Sequence, residues 1–488
     1  MAAAESTGTK ASSTKSRQGM AAQGLKLVIA IAFAVPAALF AIVGHPFGVG
    51  KGSKHHNLRG NLFVSVLRAL LASGKWAPGA SMTNMQKVTG LGADIKGKRW
   101  IAPYTAPAPP EDSCRDVVMG AIERLMPDKK HARATTAAEI VSVEGEWQGV
   151  RPNVDDNEPE PKIPDSEKYQ RLVEACTTKA TTLYFHGGGY HFGDPGTHRK
   201  TTLKLAELSG GRVFSVRYRL APQNAFPAAL IDALVSYLTL LYPPPDALHE
   251  PISAQDIVIS GDSAGGHLSA CLVQLLLELR RSKTTVKWYG KQRDIPLPAG
   301  LALNSPWLDI GLHLVQLGDQ QRIKHDYLRV PDAKKNWTYR IAHEAGVWPP
   351  VVPRENLIVE DHLLTHPLVS LITADWEGCP PVYVCTGWEI LSVEDAFFAK
   401  KLHSIGVPIQ FEDYEGMPHC FGMTLKGNGS DKCLASWSKF IRTAVENPGS
   451  ISSSATCIKA KSLEEIPLQF DELSTISQKQ AEAVIFTE

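Results

Sequence analysis

The feature that most constrains this chain is the pentapeptide Gly-Asp-Ser-Ala-Gly at residues 261–265. The apolar, β-branched run 256–260 precedes it and predicts a buried strand. Apolar residues then recur along one face of a predicted helix over 268–279. A strand that turns directly into a helix at Gly-x-Ser-x-Gly is a nucleophile elbow, which holds the serine hydroxyl out at the carboxyl end of a sheet. Ser263 is therefore the candidate nucleophile, beside a helix N-terminus that suits a developing oxyanion.

A glycine-rich loop upstream of the elbow is the candidate oxyanion hole. His-Gly-Gly-Gly-Tyr at 186–190 directly follows a predicted strand at 182–185. Consecutive glycines after a strand allow backbone N–H groups to converge on a substrate oxygen. We expect the donors to be the N–H groups of Gly188, Gly189 and Ala264. The residues of the two motifs that we expect to support the site are His186, Gly187 and Asp262.

The candidate base and acid follow the elbow in chain order. A serine hydroxyl is a poor nucleophile at neutral pH, so it needs a base and an acid that orients the base. His419 lies in a Gly-Met-Pro-His loop behind the last predicted strand, and Glu389 follows the strand before it. Glu394 and Asp395 are rival acids, but they fall at the start of a predicted helix, where the helix dipole favours carboxylates anyway. We assign Glu389 as the acid and His419 as the base, and interpret His186 as a brace for the glycine loop.

Composition argues against several other classes of protein. The 488 residues carry a formal net charge of +1, which gives no reason to expect a nucleic-acid partner. The eight cysteines are scattered without a Cys-x-x-Cys pair, so no metal site is predicted. One or two disulfides in an oxidising compartment stay open. No cofactor is predicted.

From about residue 136, short apolar strands alternate with helical stretches. This alternation predicts a mostly parallel, doubly wound α/β sheet in a domain that ends at 445. A long insertion, 311–361, interrupts it and is typical of an active-site lid. The Ser/Thr-rich remainder, 446–488, is predicted to be a flexible tail. The strands are predicted at 182–185, 213–216, 256–260, 300–304, 381–386 and 408–412.

The N-terminal part of the chain predicts a membrane anchor. Residues 1–23 are rich in Ala, Ser, Thr, Gly and Lys and are predicted to be disordered. Residues 27–43 form an apolar run just long enough to span a bilayer, so we interpret 24–50 as a transmembrane or signal-anchor helix. A cleaved signal peptide and a buried core helix are the alternatives. Basic residues flank both ends, which leaves the orientation open. Residues 51–135 are predicted to be a helical lid extension.

Six motifs in order resemble the hormone-sensitive-lipase branch of the α/β-hydrolases. The resemblance covers about residues 135–445 and implies a serine carboxylic-ester hydrolase with no metal and with a helical lid. The family usually has an aspartate at Glu389, a glutamate at Gln223 and an aspartate at Arg217. The motifs are His-Gly-Gly-Gly (186–189), Tyr-Arg-Leu-Ala-Pro (218–222) with Phe-Pro-Ala-Ala (226–229), Gly-Asp-Ser-Ala-Gly-Gly (261–266), Ser-Pro-Trp-Leu-Asp (305–309), the stretch 366–376, and Glu-Gly-Met-Pro-His (415–419).

An N-terminal anchor ahead of such a domain is similar to the arrangement in arylacetamide deacetylases and fungal steryl acetyl hydrolases. That resemblance implies an enzyme on the endoplasmic reticulum that removes short acyl groups, often acetyl, from small apolar substrates such as sterol or secondary-metabolite esters. Two other functions stay open. One is a ligand-binding receptor on the same fold, although receptors of this branch have lost the catalytic histidine. The other is an amidase or acyltransferase of a secondary-metabolite pathway. The sequence does not indicate an oligomeric state.

Overall fold

The computed structural model describes residues 32, 34–50, 52–73, 81–90, 95–127, 135–329, 337–350 and 354–486. The N-terminus predicted to be disordered, 1–23, and residues 24–31 of the predicted anchor lie outside the described residues. Residues 34–44 form helix α1. Across the described residues, we find no helix with the length and apolar character needed to cross a membrane.

One ten-stranded sheet forms the centre of the fold, in the order β1-β2-β4-β3-β5-β8-β9-β10-β11-β12. Neighbouring strands from β4 to β11 are parallel, whereas β1/β2, β2/β4 and β11/β12 are antiparallel. The predicted mostly parallel α/β sheet is therefore confirmed. Strands β6 and β7 form a separate hairpin. The strands are β1 (Arg99–Ala106), β2 (Val143–Val150), β3 (Thr181–Phe185), β4 (Arg212–Arg217), β5 (Ile257–Asp262), β6 (Val286–Trp288), β7 (Lys291–Arg293), β8 (Gly300–Asn304), β9 (Val382–Gly387), β10 (Ile409–Tyr414), β11 (Ser454–Ile458) and β12 (Glu465–Pro467).

Helices cover both faces of the sheet, which is why the central strands are continuous apolar runs. Every residue of β3, β5 and β8 is buried. Helices α6 and α13 contact each other on one face, and α4, α7 and α8 pack together on the other. The remaining helices are α2 (Leu58–Ser73), α3 (Met82–Thr89), α4 (Ser113–Leu125), α5 (Asp165–Glu174), α6 (Pro195–Ser209), α7 (Ala228–Leu241), α8 (Ser263–Arg281), α9 (Gln320–Ile323), α10 (Trp337–Glu344), α11 (Ser392–Ser404), α12 (Phe421–Thr424), α13 (Asn428–Glu446) and α14 (Gln478–Ile485).

Two predictions about the ends of the chain are wrong. The region 51–135 is not wholly helical, because it contains β1, which pairs with β2 at the edge of the sheet. Strand β1 contains Pro103, which an edge strand tolerates. The region 446–488 is not a flexible tail, because β11 extends the sheet beside β10 and α14 buries part of its apolar face. Ser and Thr fit a strand such as β11, the second from the edge of the sheet, in which only alternate positions need to be apolar.

The cysteines show no disulfide. All eight lie within the described residues and are free thiols. No group of three or more His, Cys, Asp or Glu side chains in the described part of the chain is arranged to hold a metal ion.

Candidate active site

Ser263 stands at the turn where β5 becomes α8, as the elbow motif predicts. Its φ of 52° places the serine in the left-handed region, which a non-glycine residue rarely adopts. The turn is packed tightly against the end of β3. A Cβ at Gly265 would lie only 2.0 Å from the carbonyl oxygen of Phe185, so only glycine fits there.

The structure brings Ser263, His419 and Glu389 together. The Nε2 atom of His419 lies 2.9 Å from Oγ of Ser263, and its Nδ1 atom is hydrogen-bonded to Oε2 of Glu389. Glu389 is fully buried, and its Oε1 accepts a hydrogen bond of 2.6 Å from the Ser305 hydroxyl. The histidine and the glutamate follow β10 and β9, which are parallel neighbours. Their loops therefore lie at the same edge of the sheet as the elbow.

The buried pair of Glu389 and His419 favours the ionised carboxylate. Burial alone raises the pKa of Glu389, but the His419 ring and the hydrogen bonds from Ser305 and Gly387 outweigh it and hold that pKa below its ordinary value. Burial likewise lowers the pKa of His419, but the charges of Glu389 and Asp326 outweigh it, so this pKa is raised. An imidazolium formed by proton transfer from serine would thus be stabilised.

The two rival acids lie in different surroundings. Oε1 of Glu394 accepts the backbone N–H of Leu308 at 2.6 Å, and burial together with Asp309 raises the pKa of Glu394 well above its ordinary value. Burial, with Glu389 nearby, does the same to the pKa of Asp395. A carboxyl group held neutral cannot stabilise an imidazolium by its charge. This environment favours Glu389 as the partner of the histidine.

Asp262 joins the glycine loop to the elbow. Its Oδ1 accepts the backbone N–H of Gly187 at 3.0 Å and the hydroxyl of Tyr184 at 2.6 Å. The loop then turns through Gly188 and Gly189, whose φ angles are 117° and 62°. Both conformations favour glycine. This link sets the predicted donor loop beside the serine.

Ala264 lies next to the nucleophile in the first turn of α8. Backbone N–H groups in a first helical turn have no partner within the helix. The N–H of Ala264 is therefore suited to receive an anion, as the sequence predicts.

His186 packs within the loop rather than beside the serine. Its ring stacks on Tyr218 with centroids 4.4 Å apart, and its carbonyl oxygen accepts the Tyr218 hydroxyl at 2.6 Å. Burial lowers the pKa of His186 to about 4. An imidazole with that pKa is a weak general base at neutral pH. Its contacts are those of a brace.

The sequence analysis missed Asp326 and Tyr327, which lie in the insertion. Asp326 accepts the backbone N–H of His419 at 3.2 Å, and the Tyr327 hydroxyl donates to the His419 carbonyl oxygen at 2.8 Å. No motif surrounds these two residues, and only the path of the insertion brings them to the histidine loop. The sequence contained no signal that could have found them.

A small apolar cavity of about 20 Å³ lies between the glycine loop, α8 and the insertion. A space of this size holds about one water molecule. Tyr190, which follows the three glycines, and His267, one turn after the serine, contribute to its wall, and the Tyr190 hydroxyl lies 2.7 Å from Nδ1 of His267. Ile358 closes it from the insertion.

Known proteins resemble this chain in sequence and in fold. A family model described as alpha/beta hydrolase fold matches residues 182–423. An esterase of Acinetobacter venetianus is 33% identical over 247 residues, which cover 50% of this chain and 69% of that protein. The chain is a hormone-sensitive-lipase-like α/β-hydrolase.

One further relative agrees with this membership, and one solved structure has the same fold. An ethyl acetate hydrolase of Pseudomonas putida is 42% identical over 242 residues, covering 50% of this chain and 66% of that protein. A crystal structure of a mutant esterase matches with a TM-score of 0.50 and 21% identity, covers 78% of this chain and 98% of its own, and supports the fold alone. This α/β-hydrolase is a carboxylesterase-type enzyme.

Proposed function

We propose that this enzyme hydrolyses esters of apolar alcohols and releases short acyl groups such as acetyl, with Ser263, His419 and Glu389 as its catalytic triad. The observation that carries the proposal is the continuous hydrogen-bonded path from the Ser263 hydroxyl through His419 to the buried Glu389 carboxylate.

The reaction would proceed in two halves. In the first, His419 accepts the Ser263 proton at Nε2 while Oγ attacks the ester carbonyl, and the backbone N–H groups of Gly188, Gly189 and Ala264 receive the oxyanion. The protonated histidine then gives its proton to the departing alcohol. In the second half, His419 takes a proton from water, which attacks the acyl-serine, and the acid is released with Ser263 regenerated.

One argument for a short acyl group is the cavity lined by Tyr190 and His267, which lie close in sequence to the glycine loop and to the serine. The cavity of about 20 Å³ leaves little room behind the glycine loop for a long chain. One relative is named as an ethyl acetate hydrolase, and ethyl acetate contains an acetyl group. We propose acetyl or a similarly short chain, carried on an apolar alcohol such as a sterol or a secondary metabolite.

A membrane location would bring the enzyme to such substrates. In the segment 35–49, the large apolar side chains exposed to solvent are Val35, Leu39, Phe40, Ile42, Val43, Phe47 and Val49. The described part of helix α1, residues 34–44, is roughly 16 Å long, shorter than the hydrocarbon core of a bilayer. We propose that 24–50 as a whole anchors the enzyme to a membrane, that of the endoplasmic reticulum.

The proposed function is tested by hydrolysis of p-nitrophenyl esters from acetate to laurate. The wild type should prefer the shortest esters, and Ser263→Ala should lower the rate by at least about 10³-fold because the covalent route is lost. Ser282→Ala, at the end of the same helix, is the matched control and should leave the rate unchanged.

Other outcomes would point to the alternatives. A folded wild type without turnover would favour a ligand-binding receptor. Faster cleavage of p-nitroacetanilide than of p-nitrophenyl acetate would favour an amidase.

A further inference from the structure

Two segments outside the six motifs close around the loops that carry the base and the acid. One is the turn 325–328 of the insertion, and the other is helix α2 of the N-terminal extension. The turn hydrogen-bonds to the backbone of the His419 loop, and α2 hydrogen-bonds to the turn. Helix α2 is therefore linked to the histidine loop through the turn 325–328.

Asp326 links the two catalytic loops through their backbones. Its side chain is 2% exposed, and one oxygen, Oδ1, accepts the N–H of His419 at 3.2 Å. The other oxygen, Oδ2, accepts the N–H of Ile390, the residue after Glu389, at 3.1 Å. One carboxyl group thus fixes the spacing between the histidine loop and the glutamate loop.

The neighbouring residue holds the histidine from its other side. The Tyr327 hydroxyl donates to the His419 carbonyl oxygen at 2.8 Å. The backbone N–H and C=O of His419 are therefore both bound by consecutive residues of the insertion. A shift of this turn would shift the histidine with it.

Helix α2 holds the turn in place through Arg68. Its Nε donates to the carbonyl oxygen of Asp326 at 2.8 Å, and its Nη2 donates to that of His325 at 2.6 Å. Just ahead of α2, the His55 ring packs edge-on to the His325 ring at 4.9 Å and lies 5.2 Å from the Trp388 ring, next to the acid in sequence.

We propose that Asp326 and Arg68 are positioning residues for the triad, so that the N-terminal extension is part of the catalytic apparatus. Asp326 sets His419 at the correct distance from Glu389, and Arg68 fixes the turn that carries Asp326. This inference rests on the proposed function, because it assigns its roles relative to His419 as the base.

Because Asp326 is charged, its role predicts a change in the pH–rate profile that a purely structural role would not produce. Its carboxylate raises the pKa of His419, after the larger effect of Glu389. Burial raises the pKa of Asp326 itself to about 6, so the group is ionised in weakly alkaline solution. Among the described residues, the other titratable and charged groups that face His419 or Asp326 are Glu389, Asp262, Tyr327, Cys420 and Arg68.

The test compares Asp326→Asn, Arg68→Ala and Arg68→Lys in the full chain. Asparagine keeps one acceptor but loses the second and the charge, so we expect kcat on p-nitrophenyl acetate to fall about 10²-fold with little change in KM. The acid limb of the pH–rate profile should move to lower pH, because His419 loses a neighbouring negative charge.

Arg68 should show the same effect more weakly. We expect Arg68→Ala to lower kcat about tenfold, and Arg68→Lys to recover part of it because an ammonium still donates to one of the two carbonyl groups. The double variant Asp326→Asn/Arg68→Ala should lose less than the product of the single effects, since both act through one turn. Arg59→Ala, an exposed arginine at the start of α2, is the control and should match the wild type.

A folded Asp326→Asn with the wild-type kcat and acid limb would overturn the inference. Should that variant fail to fold, the half-buried Arg68 decides, because an unchanged kcat in Arg68→Ala would equally overturn it. Failure of the proposed function is distinguishable, since either the folded wild type would then show no turnover or Ser263→Ala would remain active, whatever the Asp326 and Arg68 variants do.

Discussion

A glutamate stands here where relatives usually have an aspartate, and the structure shows how its longer side chain is accommodated. Glu389 is enclosed by the hydroxyl groups of Ser305 and Thr386, which both donate to its Oε1. Its Oε2 remains for the histidine. With this longer acid the imidazole still reaches the serine, because Nε2 of His419 lies 2.9 Å from Oγ of Ser263.

The assignment of Glu389 as the acid predicts that its substitution lowers kcat far more than substitution of the neighbouring Glu394. Glu389→Gln should lower kcat by about 10³–10⁴-fold, because the amide neither stabilises the imidazolium nor fixes its tautomer. In the activity that remains, the acid limb of the pH–rate profile should move to lower pH. The pKa of His419 is raised chiefly by Glu389, and the protonated, inactive form then becomes dominant only at lower pH.

The control for this prediction is Glu394→Gln, five residues away. Burial and the Asp309 carboxylate raise the pKa of Glu394, and its Oε1 accepts the backbone N–H of Leu308, which an amide oxygen can also accept. We expect the kcat of Glu394→Gln to stay within about tenfold of the wild type, because the exchange is isosteric and keeps this hydrogen bond. A larger loss in Glu394→Gln than in Glu389→Gln, measured on p-nitrophenyl acetate, would reverse the assignment.

The size of the acyl group is also decided by single side chains. Ile358→Ala should enlarge the cavity beside the glycine loop and move the best p-nitrophenyl ester to a longer chain. Ile451→Ala, equally buried but not part of the cavity wall, is the control and should keep the original preference. The same chain-length profile in both variants would show that this cavity does not hold the acyl group.

Among the structural elements, the sequence predicted the fully buried central strands and the motifs whose residues are close together in the chain. The central strands are apolar runs, and the elbow, the glycine loop and the histidine loop are local in sequence. Strands β1 and β11 were not predicted because they lie near the sheet edges and contain polar residues or proline. The role of Asp326 was not predicted because its contact with His419 spans 93 positions and depends on how the insertion folds back.

The C-terminal strand should contribute to stability. Ile458 of β11 is 1% exposed, so Ile458→Ala should lower the free energy of unfolding by about 2–5 kcal/mol. Ile466 of β12 is 39% exposed, and Ile466→Ala should change it by less than about 0.5 kcal/mol. Denaturant unfolding measures both. Equal small effects would indicate that residues 446–488 do not stabilise the domain.

At the scale of the whole molecule, the exposed apolar segment and the active site are joined by one stretch of chain. The proposed anchor, 24–50, leads within eight residues to α2, whose Arg68 holds the turn beside His419. A segment buried in lipid would therefore hold the site close to the membrane surface. An ester dissolved in that membrane would have a short path to Ser263.

Membrane binding is tested by flotation with phosphatidylcholine vesicles. The full chain should float with the vesicles, and Phe40→Ser/Phe47→Ser should float less, because both rings are more than half exposed and would lie in lipid. Phe486→Ser removes an exposed ring at the other end of the chain and should float like the wild type. Equal flotation of all three proteins would exclude these rings as lipid contacts, and no flotation of any would exclude the anchor.

If Ser263 is the nucleophile, the reaction passes through an acyl-enzyme that can be detected directly. The protein would be mixed with p-nitrophenyl acetate, stopped in acid within the first turnover, digested, and analysed by mass spectrometry. We expect one acetyl group on the peptide that contains Ser263, and a lower yield at the same reaction time in Glu389→Gln, because formation of the acyl-enzyme needs His419 correctly oriented. Hydrolysis that proceeds while this peptide stays unmodified, or an acetyl group on another residue with Ser263→Ala fully active, would contradict the account.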